Sequence, residues 1–402
     1  MLGVYVGRQP IYDRELMVAG YELLFRDYNA EKANFVDGDL ATSQVILNTF
    51  MEIGIERLVG NGMAFINLTR GFILEKFPLP LLHGRVVLEI LEDIPIDSDL
   101  VNALHNLRES GYQIAIDDVV YPDRVSDILD VADIVKLDLI NIDLSRLQEY
   151  VSFLRKYDVK LVAEKVETLD VFDLCKSLDF ELYQGFFLCR PNIVEGYRIP
   201  AARFNILRLL SRLLSPDLEI REVEQIIRQD VSLSYKLLRL INSVYYGRPM
   251  NVKSIRQALT LLGILQIRNW ASLLFLSKID DKPRELLVTA MIRGRMCEIL
   301  AGAIKYENED TGFTVGLFSV LDALLDMPLD EILASLPLFD DIKRALLSHD
   351  GRLGAVLHCV LAYEHGDWDD AGLPGVDPET TRDAYLQAID WANSIKSLLE
   401  AQ

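Results

Sequence analysis

Seven apolar runs in the first half of the chain are each interrupted by a group capable of chemistry. They are Glu22 in GYELLF, Asn67 in FINLT, Glu89 in VLEIL, the pair Asp117 and Asp118 in AIDDV, Lys136 with Asp138 in VKLDL, Glu164 in LVAEK and Gln184 in YQGF. A buried charge is costly unless it is paired or bound to a metal, so interruptions at the same point of successive runs imply one shared polar site. Oxygen donors without histidine or cysteine suit Mg²⁺, Mn²⁺ or Ca²⁺ far better than zinc. Adjacent carboxylates such as Asp117 and Asp118 could bridge two such ions, an arrangement that activates a water and steadies the leaving oxygen in phosphodiester hydrolysis. The competing reading of the same residues is an ion-pair network in which Lys136, Lys165 and Arg26 neutralise the acids.

The elements that must position these groups follow from hydrophobic periodicity. Up to about residue 195, apolar runs of strand length alternate with amphipathic segments of helix length, as repeated βα units do. VYVGRQPI and LMVAGYELLF, separated by Tyr12 to Glu15, predict an opening hairpin, followed by MAFINLT, RVVLEIL, YQIAIDDVV, DIVKLDLI, VKLVAEKV and LYQGFFL. DLATSQVILNTFMEIGI and SDLVNALHNLRESG are helix candidates, and Gly111 stands where a helix end favours positive φ. Near-continuous apolar strands are those covered on both faces, which predicts a closed or doubly wound parallel sheet; eight strands in about 190 residues suit a compact (β/α)8 barrel over residues 1–195, with the polar positions converging on its C-terminal mouth. The pattern changes around Arg198-Ile199-Pro200, and residues 200–402 carry the 3.6-residue period of a separate all-helical domain.

Composition narrows the partners. With 61 acidic against 41 basic residues the formal charge is −20, which opposes a broad hold on nucleic-acid backbone or on an anionic membrane. Cys175, Cys189, Cys297 and Cys359 lack metal-ligand spacing and lie in or beside apolar stretches, as reduced core residues do. The longest apolar stretches, such as NWASLLFL at 269–276, are too short to span a bilayer, and Arg8 and Pro10 interrupt the N-terminus before a signal region forms. A cytoplasmic protein is the expectation.

Gly-Tyr-Glu-Leu-Leu-Phe-Arg at residues 20–26 resembles the signature of the EAL domain, the cyclic di-GMP phosphodiesterase family, and the other segments follow in that family's order. The resemblance implies that Glu22, Asn67, Glu89, Asp117 and Asp118 are ligands of Mg²⁺ or Mn²⁺. It implies that Lys136 and Glu164 orient and deprotonate the attacking water, that Glu167 supports them, and that Arg26 and Gln184 contact the ligand. The product would be the linear dinucleotide pGpG, and barrels of this family often pair side by side, so a homodimer is expected. Two departures stand out. The family's Asp-Phe-Gly-Thr-Gly loop is replaced by Asp118-Val119-Val120-Tyr121-Pro122-Asp123, and Lys165 stands where the family has glycine, able to pair with Glu164 or to contact phosphate. A receptor that binds cyclic di-GMP without hydrolysing it, or a scaffold, is the alternative these departures open.

In the second half, Asp230 to Gly247 and Ser254 to Gly263 resemble the HDOD domain, a helical relative of the HD phosphohydrolases without their metal ligands. The resemblance implies an interaction or output module with a protein partner. His349-Asp350 is an HD dipeptide, but with only five histidines in the chain it lacks companion ligands, and a helix cap or surface hydrogen bond is the expectation. Asn242 and Ser243 are expected to end or cap a helix.

Overall fold

The computed structural model describes residues 4–27, 53–74, 84–91, 94–189, 201–215, 217–242, 252–279 and 281–400. The helix expected at 39–55 lies outside these residues except at its last three positions, as do Arg198 to Pro200, where the pattern changes. The chain divides into two compact units, Met1–Leu188 with Glu364–Gly366 and Cys189–Tyr363 with Asp367–Gln402.

The first unit is a closed barrel in strand order β1 (Val4–Tyr12), β2 (Val18–Asp27), β3 (Met63–Asn67), β4 (Val86–Leu91), β5 (Gln113–Val119), β6 (Ile134–Asp138), β7 (Lys160–Glu164) and β8 (Leu182–Gln184). Strand β1 is antiparallel to both of its neighbours, and the remaining pairs are parallel. The antiparallel start comes from the opening hairpin. Asp13 Oδ1 accepts from the backbone N–H of Glu15 at 3.0 Å and of Met17 at 2.9 Å, closing the turn in place of a crossover helix.

Alternation along the strands sets the interior. Side chains two residues apart share a face, and stepping back two positions from each polar interruption reaches Gly20, Phe65, Val87, Ala115, Ile134, Val162 and Leu182. Phe65, Val87, Ala115, Ile134 and Val162, with Ile11, form a buried apolar cluster against which Leu182 packs. This layer is the floor under the polar groups. Gly20 belongs to it by its absence of a side chain: a Cβ there would lie 2.9 Å from the Phe65 ring and 2.7 Å from the Met63 carbonyl oxygen.

Helices on the outside follow local capping. Asp97 Oδ1 accepts from Leu100 N at 2.9 Å to start helix Ser98–Glu109, and Gly111 beyond its end has φ 93°. Between β5 and β6 the connection is a 3₁₀ helix, Pro122–Ile128, rather than an α-helix.

The second unit is helical. Asp230 caps Val231–Ile241 by accepting from Leu233 N at 2.9 Å, and Ser254 caps Ile255–Leu262 by accepting from Gln257 N at 3.2 Å. Helices Arg284–Ala303 and Asp310–Phe318 approach at glycines. A Cβ on Gly316 would meet the Arg293 carbonyl oxygen at 2.2 Å, and one on Gly312 that of Cys297 at 2.5 Å. Among the described residues no helix is long and apolar enough to cross a membrane.

Candidate functional site

The C-terminal ends of the barrel strands bring Glu22, Asn67, Glu89, Asp117, Lys136, Glu164 and Gln184 together above the apolar floor. Lys136 is fully buried at the centre. Its Nζ lies 2.6 Å from Glu89 Oε1, 2.7 Å from Asp117 Oδ1, 2.8 Å from Glu164 Oε1 and 3.4 Å from Glu22 Oε2. Asn67 Nδ2 donates to Glu22 Oε1 at 3.0 Å, and Gln184 Nε2 donates to Glu22 Oε2 at 2.6 Å and to Gln9 Oε1 at 2.9 Å. Gln9 escaped the sequence reading. Its signal was available in the hairpin register, which sets Gln9 opposite Glu22.

The charges do not balance. Four carboxylates surround one ammonium, and an ammonium has only three protons to give. Glu89 Oε2 and Glu164 Oε2 are buried without a hydrogen-bond partner, as are Asn67 Oδ1 and Gln184 Oε1. Burial pushes the carboxyls of Glu89 and Glu164 well above the usual carboxylate range, with Lys136 opposing it, and Asp117 and Glu22 add to the rise. Burial alone would lower the Lys136 ammonium, but Glu164, Glu22, Glu89 and Asp117 together outweigh it and hold the amine well above its ordinary value.

Glu22, Glu89 and Asp117 each offer an oxygen, with the three oxygens lying within 4.8 Å of one another. With Asn67 beside Glu22, the donors are all hard oxygens, and Asn67, Glu89 and Asp117 each keep a buried oxygen without a hydrogen bond. The residues therefore fit a hard divalent cation, whose charge would offset the carboxylate surplus. Among the described residues no second cluster of potential metal ligands occurs.

Asp118 stands apart from its neighbour. Ile116 and Val119 of β5 pair with Val135 and Leu137 of β6, so β5 carries one extra residue, a bulge at Asp117 and Asp118. Asp118 has φ 54° and turns from the interior, where its half-exposed carboxylate accepts from Lys165 Nζ at 2.5 Å. Lys165, also at φ 54°, donates in addition to the buried Asp138 Oδ2 at 2.8 Å. The sequence left Lys165 to pair with Glu164 or to contact phosphate; the left-handed backbone instead swings it to Asp118 and Asp138. Burial would raise the Asp138 carboxyl, but hydrogen bonds from Lys165 and Asn141 hold it below the usual range.

Arg26 pairs with Tyr5 in the β1–β2 ladder, and its side chain lies outside the described residues. Glu167 is exposed beyond the end of β7. In the helical unit, His349 takes the left-handed C-cap of helix Asp340–Ser348, and Asp350 accepts from Ser348 Oγ at 2.8 Å, so the HD dipeptide is a helix end. Asn242 is the C-cap of Val231–Ile241, and its amide both donates to and accepts from the Val252 backbone, each at 2.8 Å. Ser243, Tyr246 and Gly247 lie outside the described residues.

Fold and site define an α/β barrel with a buried cluster of oxygen donors at its mouth, joined to a helical domain. A model described as EAL domain matches residues 73–191 and one described as HDOD domain matches residues 199–325. The chain is 32% identical over 406 residues to the uncharacterized protein YuxH of Bacillus subtilis, covering 98% of each. It is 33% identical over 410 residues to the cyclic di-GMP phosphodiesterase CdgJ of Vibrio cholerae, covering 99% of this chain and 94% of that protein. A Klebsiella pneumoniae structure, the BlrP1 manganese/cyclic di-GMP complex at pH 6, is 21% identical with a TM-score of 0.38, over 46% of this chain and 55% of that one. The chain belongs to the EAL–HDOD family of two-domain proteins. The EAL match begins after β3, so the membership of Glu22 and Asn67 in the site rests on the geometry.

Proposed function

We propose that the barrel is a metal-dependent phosphodiesterase that hydrolyses cyclic di-GMP to pGpG, and that the helical half is an output module for a protein partner. The observation that carries this reading is the surplus of buried carboxylate around Lys136, with unpartnered oxygens, at the end of the barrel where such folds do chemistry. Likeness over nearly the whole chain to a protein named for cyclic di-GMP hydrolysis supports the substrate.

Glu22, Asn67, Glu89 and Asp117 would hold Mg²⁺ or Mn²⁺, with Asp118 a further ligand where it is released from Lys165. An ion held there would supply polarisation of a phosphoryl oxygen and a lowered pKa for a water. Glu164, whose Oε2 is buried without a hydrogen-bond partner and whose carboxyl burial raises above the usual carboxylate range, would take the proton as the water oxygen forms its bond to phosphorus. The bond from phosphorus to the 3′ oxygen breaks, that oxygen regains a proton, and the opened dinucleotide keeps a 5′-phosphate. Lys136, through its contacts with Glu89, Asp117 and Glu164, orients these acids about the attacking water. Gln184, whose Nε2 is committed to Glu22 and Gln9, leaves its Oε1 to accept from the ligand. Arg26 is assigned to a ligand phosphate, and Glu167 to support of the Glu164 segment.

The test is turnover of cyclic di-GMP by the full chain with Mg²⁺ and separately with Mn²⁺, the product identified chromatographically. Appearance of pGpG, reduced about a hundredfold or more in Glu89→Gln, is the expected result. A rate that Glu89→Gln leaves unchanged sinks the assignment. The capture of Asp118 by Lys165 favours a second reading, a receptor that binds without hydrolysis. Calorimetric binding of cyclic di-GMP with no product would select it.

A further inference from the structure

Lys165 has no part in the reaction above, yet its placement is specific. It follows Glu164 directly and holds φ 54°, a backbone conformation that suits glycine and that a long side chain rarely adopts. From there its Nζ reaches Asp118 Oδ1 at 2.5 Å and Asp138 Oδ2 at 2.8 Å. Asp118 is likewise at φ 54°, on the β5 bulge, so two strained positions, one on β5 and one just past the end of β7, face each other through one ion pair.

The mouth thereby splits into two unlike halves. On one side, Glu22, Glu89, Asp117 and Glu164 share Lys136, and the last three keep buried oxygens without hydrogen bonds. On the other, Asp118 and Asp138 have an ammonium between them, and Asp138 also accepts from the backbone N–H of Ile140 at 2.9 Å and of Asn141 at 3.1 Å, and from Asn141 Nδ2 at 2.7 Å. The first side calls for added positive charge. The second already has it, at hydrogen-bond distance from Asp118 Oδ1 and Asp138 Oδ2.

We propose that Lys165 stands in for a second divalent cation: the barrel takes one ion, on the Glu22, Asn67, Glu89 and Asp117 side, and the lysine ammonium supplies the positive charge on the Asp118 and Asp138 side. Adjacent aspartates that could bridge two ions are thus separated, one turned to the ion and one to the lysine. The inference deepens the metal-dependent reading and rests on it.

The experiment counts ions rather than products. The full chain, stripped with chelator, is titrated with Mn²⁺ in equilibrium dialysis and examined by electron paramagnetic resonance, with Glu89→Gln as the blank for adventitious sites. The wild type is expected to hold one ion above the blank, with the spectrum of an isolated Mn²⁺. Lys165→Gly, which fits the left-handed backbone and frees Asp118 and Asp138, is expected to hold two, with spectral signs of coupling between them. Lys165→Asn, also tolerant of positive φ, is a second variant expected to behave alike. Two ions in the wild type, or one in both variants, overturns the inference while leaving the metal site standing. No ion above the blank in the wild type overturns the metal site itself, and the inference with it.

Discussion

Charge is buried in both halves of the molecule, but by opposite bookkeeping. In the helical unit three of the buried ions have their counter-charges in place. Glu224 is held by Arg228 at 2.7 Å and Arg256 at 2.9 Å, Arg203 by Asp281 and Asp326 at 2.5 Å each, and Glu298 by Arg295 at 2.7 Å. The partners Arg228, Arg256 and Asp281 reach out to solvent, so these networks neutralise themselves and stay hydrated at one end. In the barrel, the acids around Lys136 are nearly solvent-free and outnumber the single cation. Buried charge alone therefore does not mark a site, since structural ion pairs also collect it. The mark is an uncompensated surplus with unpartnered oxygens.

The sharpest way to break this contrast is to remove one cation from each half. Lys136→Met strands several buried carboxylates and is expected to cost about 3–5 kcal/mol of stability without divalent ions. Arg203→Met leaves Asp326 its contact with Lys282 at 2.6 Å and leaves Asp281 half exposed, so about 1–2 kcal/mol is expected. Denaturant titrations then add Mn²⁺. At about a hundred times its Kd the ion should return about 2.7 kcal/mol to any variant with an intact ligand set, hence to Lys136→Met but not specifically to the loss in the helical unit. Equal costs in the two variants and no response of the barrel transition to Mn²⁺ would reduce the mouth to one more ion-pair network.

A smaller effect separates packing from charge. Gly316→Ala places a Cβ against the Arg293 carbonyl where helices Arg284–Ala303 and Asp310–Phe318 meet, and should cost about 1–3 kcal/mol by forcing them apart. Mn²⁺ binding in the barrel should stay at its wild-type affinity. A weakened ion affinity in this variant would show that the two kinds of construction are not independent.

How legible these features were depends on their range. Strand identity and the inward placement of Glu89, Asp117 or Glu164 follow from period-two alternation over a few residues, because each floor residue lies two positions before its polar partner. Gly111 and the cap residues Asp230 and Ser254 could be read for the same reason, as their hydrogen bonds are local. The fate of Asp118 could not. Alternation alone sends adjacent residues to opposite faces, and only the one-residue bulge against β6, together with two left-handed backbones, decides that Asp118 meets Lys165. The close approach at Gly312 and Gly316 was equally hidden, since a glycine in a helical run says nothing of which carbonyl lies opposite.

The smallest expected effect lies at His349, where the helical half again handles a titratable group without a ligand. Burial lowers the pKa of this imidazole, and His358, its ring 5.8 Å away, lowers it further. The folded value thus lies below the unfolded one of about 6.5, so folding favours the neutral ring. Its contribution to stability is complete above pH 6.5 and is lost as pH falls through the folded value. His349→Asn keeps a residue that tolerates the left-handed cap, φ 56°, and removes the titration. Melting temperatures at pH 7 and pH 5 should therefore fall less in the variant than in the wild type, while at pH 7 the two should nearly coincide. An identical fall in both would mean that the ring is hydrated enough to titrate alike in folded and unfolded chains, and that the HD dipeptide serves the backbone turn alone.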